Sequence, residues 1–278
     1  MILGESIYNI AMMFYLFAFA GWIYECLLVL IRDRKPVNRG FLAGPILPLY
    51  GFGAVAVYLL LRPFSDIPTL LYISGMIVAT VLEYVTGWLL EKCFHIKWWD
   101  YTEEPYNFQG RIALIPSMFW GFLSLSMFDI LLPVANAIIG SIPRRNGEIF
   151  LGIAIVVTAA DLLYTVITMA NLRRQLEKLY EFKKELDALF GEASETSMKE
   201  LLQYTASELR EKLHFTKRNP WLGNRRIINT FPKMRLSFGK QESVSVQELL
   251  ASMRDRADNF NDNMKALKNK LKNFKNRY

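Results

Sequence analysis

The sequence predicts an all-α membrane protein, a polytopic bundle of about five transmembrane helices followed by a helical, partly coiled-coil cytoplasmic tail. Five apolar stretches each reach about 20 residues, the length that crosses ~30 Å of hydrocarbon. Charge is also unevenly divided, because residues 1–170 hold 10 Lys and Arg against 12 Asp and Glu, and residues 171–278 hold 23 against 14. We therefore expect a transmembrane domain over 1–170 and a basic tail over 171–278. The predicted spans are approximately Ile7–Ile31, Phe41–Leu61, Leu70–Leu90, Ile112–Leu132 and Ile149–Ala170.

Basic residues are concentrated in alternate loops. The connections after the first and third spans hold seven Lys and Arg, and those on the opposite side hold three. Since short basic loops stay in the cytoplasm, we expect the N-terminus outside, the tail inside, and a place in the bacterial cytoplasmic (inner) membrane. The first span lacks the basic start and cleavage site of a signal peptide, so it is interpreted as a transmembrane helix.

The sequence lacks the motifs that are typical of an ATPase or a hydrolase. It has no Gly-rich phosphate loop ending in Gly-Lys-Ser/Thr and no Gly-x-Ser-x-Gly elbow, which weighs against an ATPase or a hydrolase. His95 and His214 lie in no ligand-spaced cluster, and Cys26 and Cys93 lie near cytoplasmic helix ends, where thiols stay reduced. We expect no metal, no cofactor and no disulfide.

Carboxylates inside the predicted spans are the strongest indication of function, because burying a charge in hydrocarbon is costly. Glu25 and Glu83 both lie about 10 Å from the cytoplasmic ends of their helices, and each has a glycine four residues away on the same helix face. They are either buried ion pairs that hold the helices together or the lining of a polar cavity open to the cytoplasm. Asp161, near the middle of the fifth span, is either a second pathway residue or a helix-to-helix hydrogen bond.

The second span and the loop after the third are irregular. Residues 40–53 contain four glycines and two prolines. The second span is therefore either a broken helix of the kind that forms binding sites in transporters or a kinked packing helix with a Gly40-x-x-x-Gly44 contact. The loop at 95–111 is dense in aromatic rings, which favour the membrane–water boundary. It is either an interfacial anchor or a re-entrant lid over the carboxylates.

Several motifs between residues 21 and 121 have an order typical of one family. They are Asn38-Arg39-Gly40-Phe41-Leu42, Glu83-Tyr84, Trp98-Trp99-Asp100-Tyr101, Asn107-x-x-Gly110-Arg111 and Trp120-Gly121. With them the chain resembles a bacterial multi-pass membrane family catalogued as putative ABC-transporter permeases (type IV). The resemblance implies a pump component served by a separate ATP-binding subunit, and it assigns no substrate and no catalytic residue. Five helices are few for a translocation path, so a dimer or a second membrane subunit would be expected.

The candidate polar intramembrane site combines the charged, amide and aromatic side chains of these segments. Its residues are Glu25, Asn38, Arg39, Tyr50, Glu83, Glu91, Trp98, Trp99, Asp100, Tyr101, Asn107, Arg111 and Asp161.

The tail has apolar residues at alternating spacings of three and four, which is typical of helices with a narrow apolar seam. One seam starts at Leu172, Leu176 and Leu179, and another at Leu250 and Met253, after a Ser245-x-x-Glu248 capping box. A third seam has Leu202, Ala206, Leu209 and Leu213. Three such helices favour either a small antiparallel coiled coil or a dimer interface, and we expect a homo-oligomer or a helical partner through the tail.

The stretch from His214 to Gln241 is basic and aromatic, with no acidic residue. It predicts binding to the anionic surface of the adjacent lipid bilayer. Nucleic acid is the weaker alternative, because no recognition motif accompanies the charge. The residues expected to bind the membrane surface are Lys217, Arg218, Trp221, Arg225, Arg226, Lys233 and Arg235.

Three classes of function remain open. A permease subunit needs a partner ATPase or a coupling ion. An intramembrane enzyme acting on a lipid or envelope precursor would use Glu83 or Asp100 as acid or base beside Arg39 or Arg111. A membrane scaffold or sensor would act through its cytoplasmic coiled coil. We favour the permease subunit.

Overall fold

The computed structural model describes residues 6–192, 223–238 and 242–256. The helices are α1 (Ile7–Asp33), α2 (Pro48–Leu61), α3 (Pro68–Phe94), α4 (Leu114–Ser126), α5 (Leu132–Ser141), α6 (Arg144–Glu192), α7 (Gly223–Thr230) and α8 (residues 246–256). The strands are β1 (Ile96–Lys97), β2 (Asn107–Phe108), β3 (Ile112–Ala113), β4 (Arg235–Phe238) and β5 (Glu242–Ser245). The chain divides into unit 1, residues 1–93 and 97–167, and unit 2, residues 94–96 and 168–278. The predicted domain boundary after Ala170 lies within α6.

Four helical segments in the described ranges are long and apolar enough to cross a membrane. They are Ile7–Asp33, Pro68–Phe94, Leu114–Ser141 and Arg144–Glu185. The third combines α4 and α5 through a π-helical turn at Met127–Leu131. Large apolar side chains such as Ile153, Val156 and Leu163 are exposed on these helices, as expected for faces that contact lipid. The predicted all-α polytopic bundle is confirmed.

The second predicted span is shorter than expected. Helix α2 begins at Pro48 rather than near Phe41, and its 14 residues rise about 21 Å, less than the hydrocarbon thickness. Residues 34–47 precede it without regular helix. Proline disfavours helical backbone in the residue before it, and Gly40 has a φ of 128°, so residues 40–47 cannot extend the helix toward the N-terminus.

Unit 1 is held together by small apolar clusters and by glycines at helix contacts. One cluster joins Met13, Val57, Leu61, Leu71 and Met127, from α1, α2, α3 and the π-helical turn. Among the described helices, α1 and α2 form the most extensive pair, and glycines on each helix receive a ring from the other. Small residues allow this close approach in membranes, where helix association depends on van der Waals packing.

Unit 2 contains a small sheet, which the sequence did not predict. Its strand order is β1-β4-β5, and β4 pairs antiparallel with β5, with Arg235 opposite Ser245. Met234 and Leu236 are buried, whereas Arg235 and Ser237 are partly exposed. This period of two is the strand pattern, and it was hidden within the basic stretch from His214 to Gln241.

The apolar seams of the tail lie in the core of unit 2. Leu172, Leu176 and Leu179 of α6 are fully buried, as is Met253 of α8. These side chains are therefore already covered by the same chain. The predicted cap is confirmed, since the Glu248 N–H donates to Ser245 Oγ at 3.3 Å. The remaining seam residues, such as Leu202 and Leu267, lie outside the described residues.

Candidate functional site

Asp161 stabilises the irregular segment before α2. Its carboxylate accepts hydrogen bonds from the backbone N–H groups of Ala43, at 2.9 Å, and Gly44, at 2.7 Å. The hydroxyl of Thr165, one turn later on α6, donates to the same carboxylate at 3.3 Å. Of the two sequence interpretations of Asp161, the contacts match a hydrogen bond between a helix and a neighbouring segment.

The other polar groups of the irregular segment also have partners. Asn38 accepts a hydrogen bond from Trp22 Nε1 at 2.7 Å and donates to the Ala43 carbonyl at 2.7 Å. The Leu47 N–H donates to the Ala18 carbonyl at 2.9 Å. Non-helical backbone at membrane depth requires such partners, so these bonds explain how the break is tolerated.

Glu25 lies between α2 and the irregular segment. Its carboxylate accepts a hydrogen bond from the Tyr50 hydroxyl at 2.8 Å and contacts the Arg39 guanidinium at 3.5 Å. The Tyr50 ring reaches this position by packing directly on Gly21, where a Cβ would overlap it. The glycine four residues before Glu25 therefore provides room for the ring that binds Glu25.

Glu83 is the most buried carboxylate of unit 1 among the described residues, with 5% of its surface exposed. It accepts hydrogen bonds from Trp120 Nε1 at 2.9 Å and from the Tyr101 hydroxyl at 3.2 Å. No Lys, Arg or His in the described ranges forms an ion pair with it. Burial and the Glu83 carboxylate raise the pKa of the Tyr101 phenol above its ordinary value, so Tyr101 keeps its proton and donates.

Two aromatic rings connect the environments of Glu25 and Glu83. The rings of Tyr50 and Trp120 lie edge to face, with centroids 5.7 Å apart, and each donates to one of the two carboxylates. We call Glu25, Tyr50, Glu83 and Trp120 the carboxylate centre. Trp120 belongs to the Trp120-Gly121 motif but is not among the predicted site residues. Its place in that motif is the sequence signal that could have identified it.

The loop at residues 95–111, which we call the aromatic loop, is attached to α3. Arg111 pairs with Glu91 through two contacts at 2.7 and 3.1 Å, and Trp99 Nε1 donates to the Arg111 carbonyl at 2.8 Å. The Trp99 ring packs near Gly87. With Tyr101 bonded to Glu83, these contacts place the loop over the carboxylate centre.

The remaining predicted loop residues have structural partners. Trp98 is buried and packs edge to face on Phe41, with centroids 5.1 Å apart. Asp100 accepts a hydrogen bond from the Thr102 N–H at 3.1 Å. Asn107 donates to two backbone carbonyls and accepts from the Gly110 N–H at 3.1 Å. The loop is thus internally ordered by side-chain-to-backbone bonds.

A cavity of about 240 Å³ adjoins the carboxylate centre. Tyr50, Glu83 and Trp120 contribute to its lining, and most of the rest is apolar. The other lining side chains belong to α1, α2, α3 and α4 with its π-helical turn, and include Phe17, Leu49, Val57, Leu82, Leu123 and Met127. The site is therefore an apolar cavity with a carboxylate at its polar end.

The predicted membrane-surface residues are only partly described. Arg225 and Lys233 are exposed. Arg226 has 3% of its surface exposed, and Arg235 donates to Ser243 Oγ at 3.1 Å and to its carbonyl at 3.0 Å. The burial of Arg226 follows from its place on the inner face of α7 beside Ile227. Lys217, Arg218 and Trp221 lie outside the described residues.

The fold and the site define a class of protein: a polytopic membrane protein whose helix bundle holds carboxylates beside a broken helix. Residues 12–166, more than half of the chain, match the family described as "Putative ABC-transporter type IV". The chain belongs to this family, as the motifs of the sequence indicated. Neither a curated protein nor a solved structure matches it.

Proposed function

We propose that this protein is a permease subunit of a transporter, and that the carboxylate centre receives the transported molecule on the cytoplasmic side. One observation carries the proposal. Glu83 is buried in an apolar helix bundle, lies against a cavity, and is opposed by two neutral donors rather than by a cation. An ionisable group held in this way at membrane depth is typical of a substrate or ion pathway.

The other carboxylates at membrane depth, which are partly buried, have partners that explain them without a substrate. Glu25 contacts Arg39, Glu91 pairs with Arg111, and Asp161 accepts two backbone amides. Glu25 and Glu91 hold segments of unit 1 together as ion pairs, which supports the ion-pair interpretation for Glu25, and Asp161 does so through hydrogen bonds. Glu83 differs, because the two groups that donate to it are neutral and no cation among the described residues forms an ion pair with it. The proposed function therefore depends on Glu83 in particular.

The aromatic loop acts as a lid in this proposal. Tyr101 covers Glu83, and the Glu91–Arg111 pair fastens the loop to α3. Movement of the loop would open Glu83 to the cytoplasm, and its return would exclude water. A partner that binds the loop could thus control access to the centre.

Energy for transport would come from a separate subunit, because the sequence itself contains no P-loop motif. In this arrangement the protein lies in the bacterial inner membrane with its N-terminus outside and its tail in the cytoplasm. The ATP-binding subunit would then contact the cytoplasmic loops. The enzyme alternative has less support, since Arg39 and Arg111 would have to leave their carboxylates to bind a phosphate.

The test is purification of the tagged full-length protein from its native cells in mild detergent, with mass spectrometry of stoichiometric partners. We expect a P-loop ATPase. We also expect that Glu83→Gln retains the partner but fails to restore the phenotype of a deletion strain. The matched control is Glu148→Gln, which alters an exposed pair with Arg144 and should restore it. Recovery of a homo-oligomer alone, or full function of Glu83→Gln, would overturn the proposal.

A further inference from the structure

We propose that the cavity binds a single-chain aliphatic amphiphile with a cationic amine head group. Its chain would occupy the apolar cavity and its ammonium would contact Glu83. This assignment rests on the proposed function, in that it names the substrate class of the same site.

The cavity has a size and lining suited to an aliphatic chain. An apolar cavity of roughly 150 Å³ holds benzene, so the 240 Å³ here accommodates a larger apolar group. The walls include Phe17, Leu82 and Leu131, from three different parts of unit 1. Gly53 also lines the cavity, and a Cβ built on it would meet no atom within 4 Å. The space beside Gly53 is therefore open to a ligand.

The polar end of the cavity favours a positive charge. Each oxygen of the Glu83 carboxylate receives one neutral donor, from Tyr101 and from Trp120, and a carboxylate oxygen can accept more than one hydrogen bond. Glu25 contacts the Arg39 guanidinium, whereas no Lys or Arg among the described residues forms an ion pair with Glu83. An ammonium would give Glu83 a cationic partner, whereas a carboxylate or phosphate head would place a second acidic group beside it.

A pair of aromatic rings extends one wall of the cavity. Tyr24 of α1 lines the cavity and has 36% of its surface exposed. Its ring stacks on Phe119 of α4, with centroids 6.1 Å apart and planes 12° from parallel, and Phe119 is 41% exposed. The apolar wall therefore continues from the cavity to exposed side chains of α1 and α4.

The test measures binding of radiolabelled dodecylamine, dodecanol and dodecanoate to the purified full-length protein in lipid nanodiscs. A charge-assisted hydrogen bond to a buried carboxylate should make dodecylamine bind about tenfold more tightly than dodecanol. Dodecanoate should bind more weakly than both. In Glu83→Gln the preference for the amine over the alcohol should disappear while dodecanol binding persists, which shows that the cavity is intact.

A second pair of variants tests the cavity without altering charge. Gly53→Leu should weaken binding of dodecylamine and dodecanol alike, because its side chain enters the cavity. Gly152→Leu on α6 is the matched control, since its Cβ also meets no atom within 4 Å and it does not line the cavity. It should bind both as the parent does.

Equal binding of amine and alcohol, an amine preference that survives in Glu83→Gln, or unchanged binding in Gly53→Leu would each overturn the assigned substrate class. None of these outcomes changes whether a partner ATPase is recovered, so the experiments test the substrate class and the permease function independently. If the protein binds the amine but copurifies with no ATPase, the permease function is refuted and the amine-binding site stands.

Discussion

Four carboxylates in the helices of unit 1, those of Glu25, Glu83, Glu91 and Asp161, show how differently one functional group can be accommodated. Asp161 accepts backbone amides, Glu25 and Glu91 contact guanidinium groups, and Glu83 receives neutral donors from an indole and a phenol. Removing one partner of a buried polar group leaves the other unsatisfied and costs more than the bond itself contributes. The consequences of substitution should therefore follow the partners and not the shared residue type.

Asp161→Asn should destabilise the protein by about 1–3 kcal/mol, the cost of an unsatisfied buried polar group. The amide has one acceptor oxygen for the two N–H groups of Ala43 and Gly44, and its own NH₂ would face a donor. Unfolding in a detergent titration is the measurement. Asp129→Asn, at an exposed position of the π-helical turn, is the control and should change little. Equal stability of both variants would refute the role of Asp161 in binding the backbone amides of Ala43 and Gly44.

At the scale of elements, unit 1 depends on close contacts between helices and on loop attachments. Gly21 and Gly51 let α1 and α2 approach, each receiving a ring from the opposite helix, Tyr50 and Phe14. The loop between α3 and α4 is held by the Glu91–Arg111 ion pair and by the two tryptophans that precede Asp100, Trp98 and Trp99. Both features fix the positions of the side chains that form the carboxylate centre.

Gly21→Ala should destabilise the α1–α2 contact by about 1–3 kcal/mol, the usual cost of overpacking. A Cβ at Gly21 would overlap the Tyr50 ring and displace its hydroxyl from Glu25. Gly53→Ala on α2 is the control, and it should be neutral or stabilising because alanine favours helix over glycine. Thermal unfolding of the purified variants compares them, and a Gly21→Ala protein as stable as the parent would contradict the contact.

Arg111→Gln should release the aromatic loop from α3. The pair with Glu91 is mostly buried, with 16% and 18% of the side chains exposed, so loss of the charge should speed amide exchange about tenfold or more. The backbone amides of Tyr101 and Arg111, which bond within the loop, report this by hydrogen exchange with mass spectrometry. Arg144→Gln, from an exposed pair, should leave loop exchange unchanged. Slow exchange in Arg111→Gln would show that the pair does not fasten the loop.

For the whole molecule, the described spans place the α2–α3 connection and the loop after α3 at opposite ends of α3. The distribution of Lys and Arg predicts that the second of these faces the cytoplasm. This orientation stays a prediction, and the proposed site and the position of the partner ATPase both depend on it.

Labelling of single cysteines with a membrane-impermeant maleimide tests the orientation in intact cells. Cys93 is exposed and should react only after permeabilisation, once Cys26 is replaced by alanine. A cysteine introduced as Asp66→Cys, in the exposed α2–α3 connection, should react before permeabilisation in a protein lacking the native cysteines. The opposite pattern would invert the topology.

Much of the architecture could be predicted from the sequence, and the failures have physical causes. The irregularity of the second span was predicted from its glycines and prolines, but the sequence did not predict that Asp161 would bind the backbone amides of Ala43 and Gly44 in the segment before α2. The strand β4 was missed because its alternation covers only four residues within a basic stretch. The tail seams left an antiparallel coiled coil and a dimer interface open, and the structure shows Leu172, Leu176 and Leu179 covered by the same chain.

The sequence by itself determined that this is a polytopic helical membrane protein with acidic residues at membrane depth. The hydropathy of a transmembrane helix and the hydrogen bonds within its backbone depend on residues that are close in the sequence. Both can therefore be predicted from the sequence. Only the tertiary structure decided which carboxylate lacks a cation and which adjoins a cavity. Glu83 and Trp120 are 37 positions apart, and Gly44 and Asp161 are 117 apart. Such contacts arise from the packing of whole helices, and no local pattern records them.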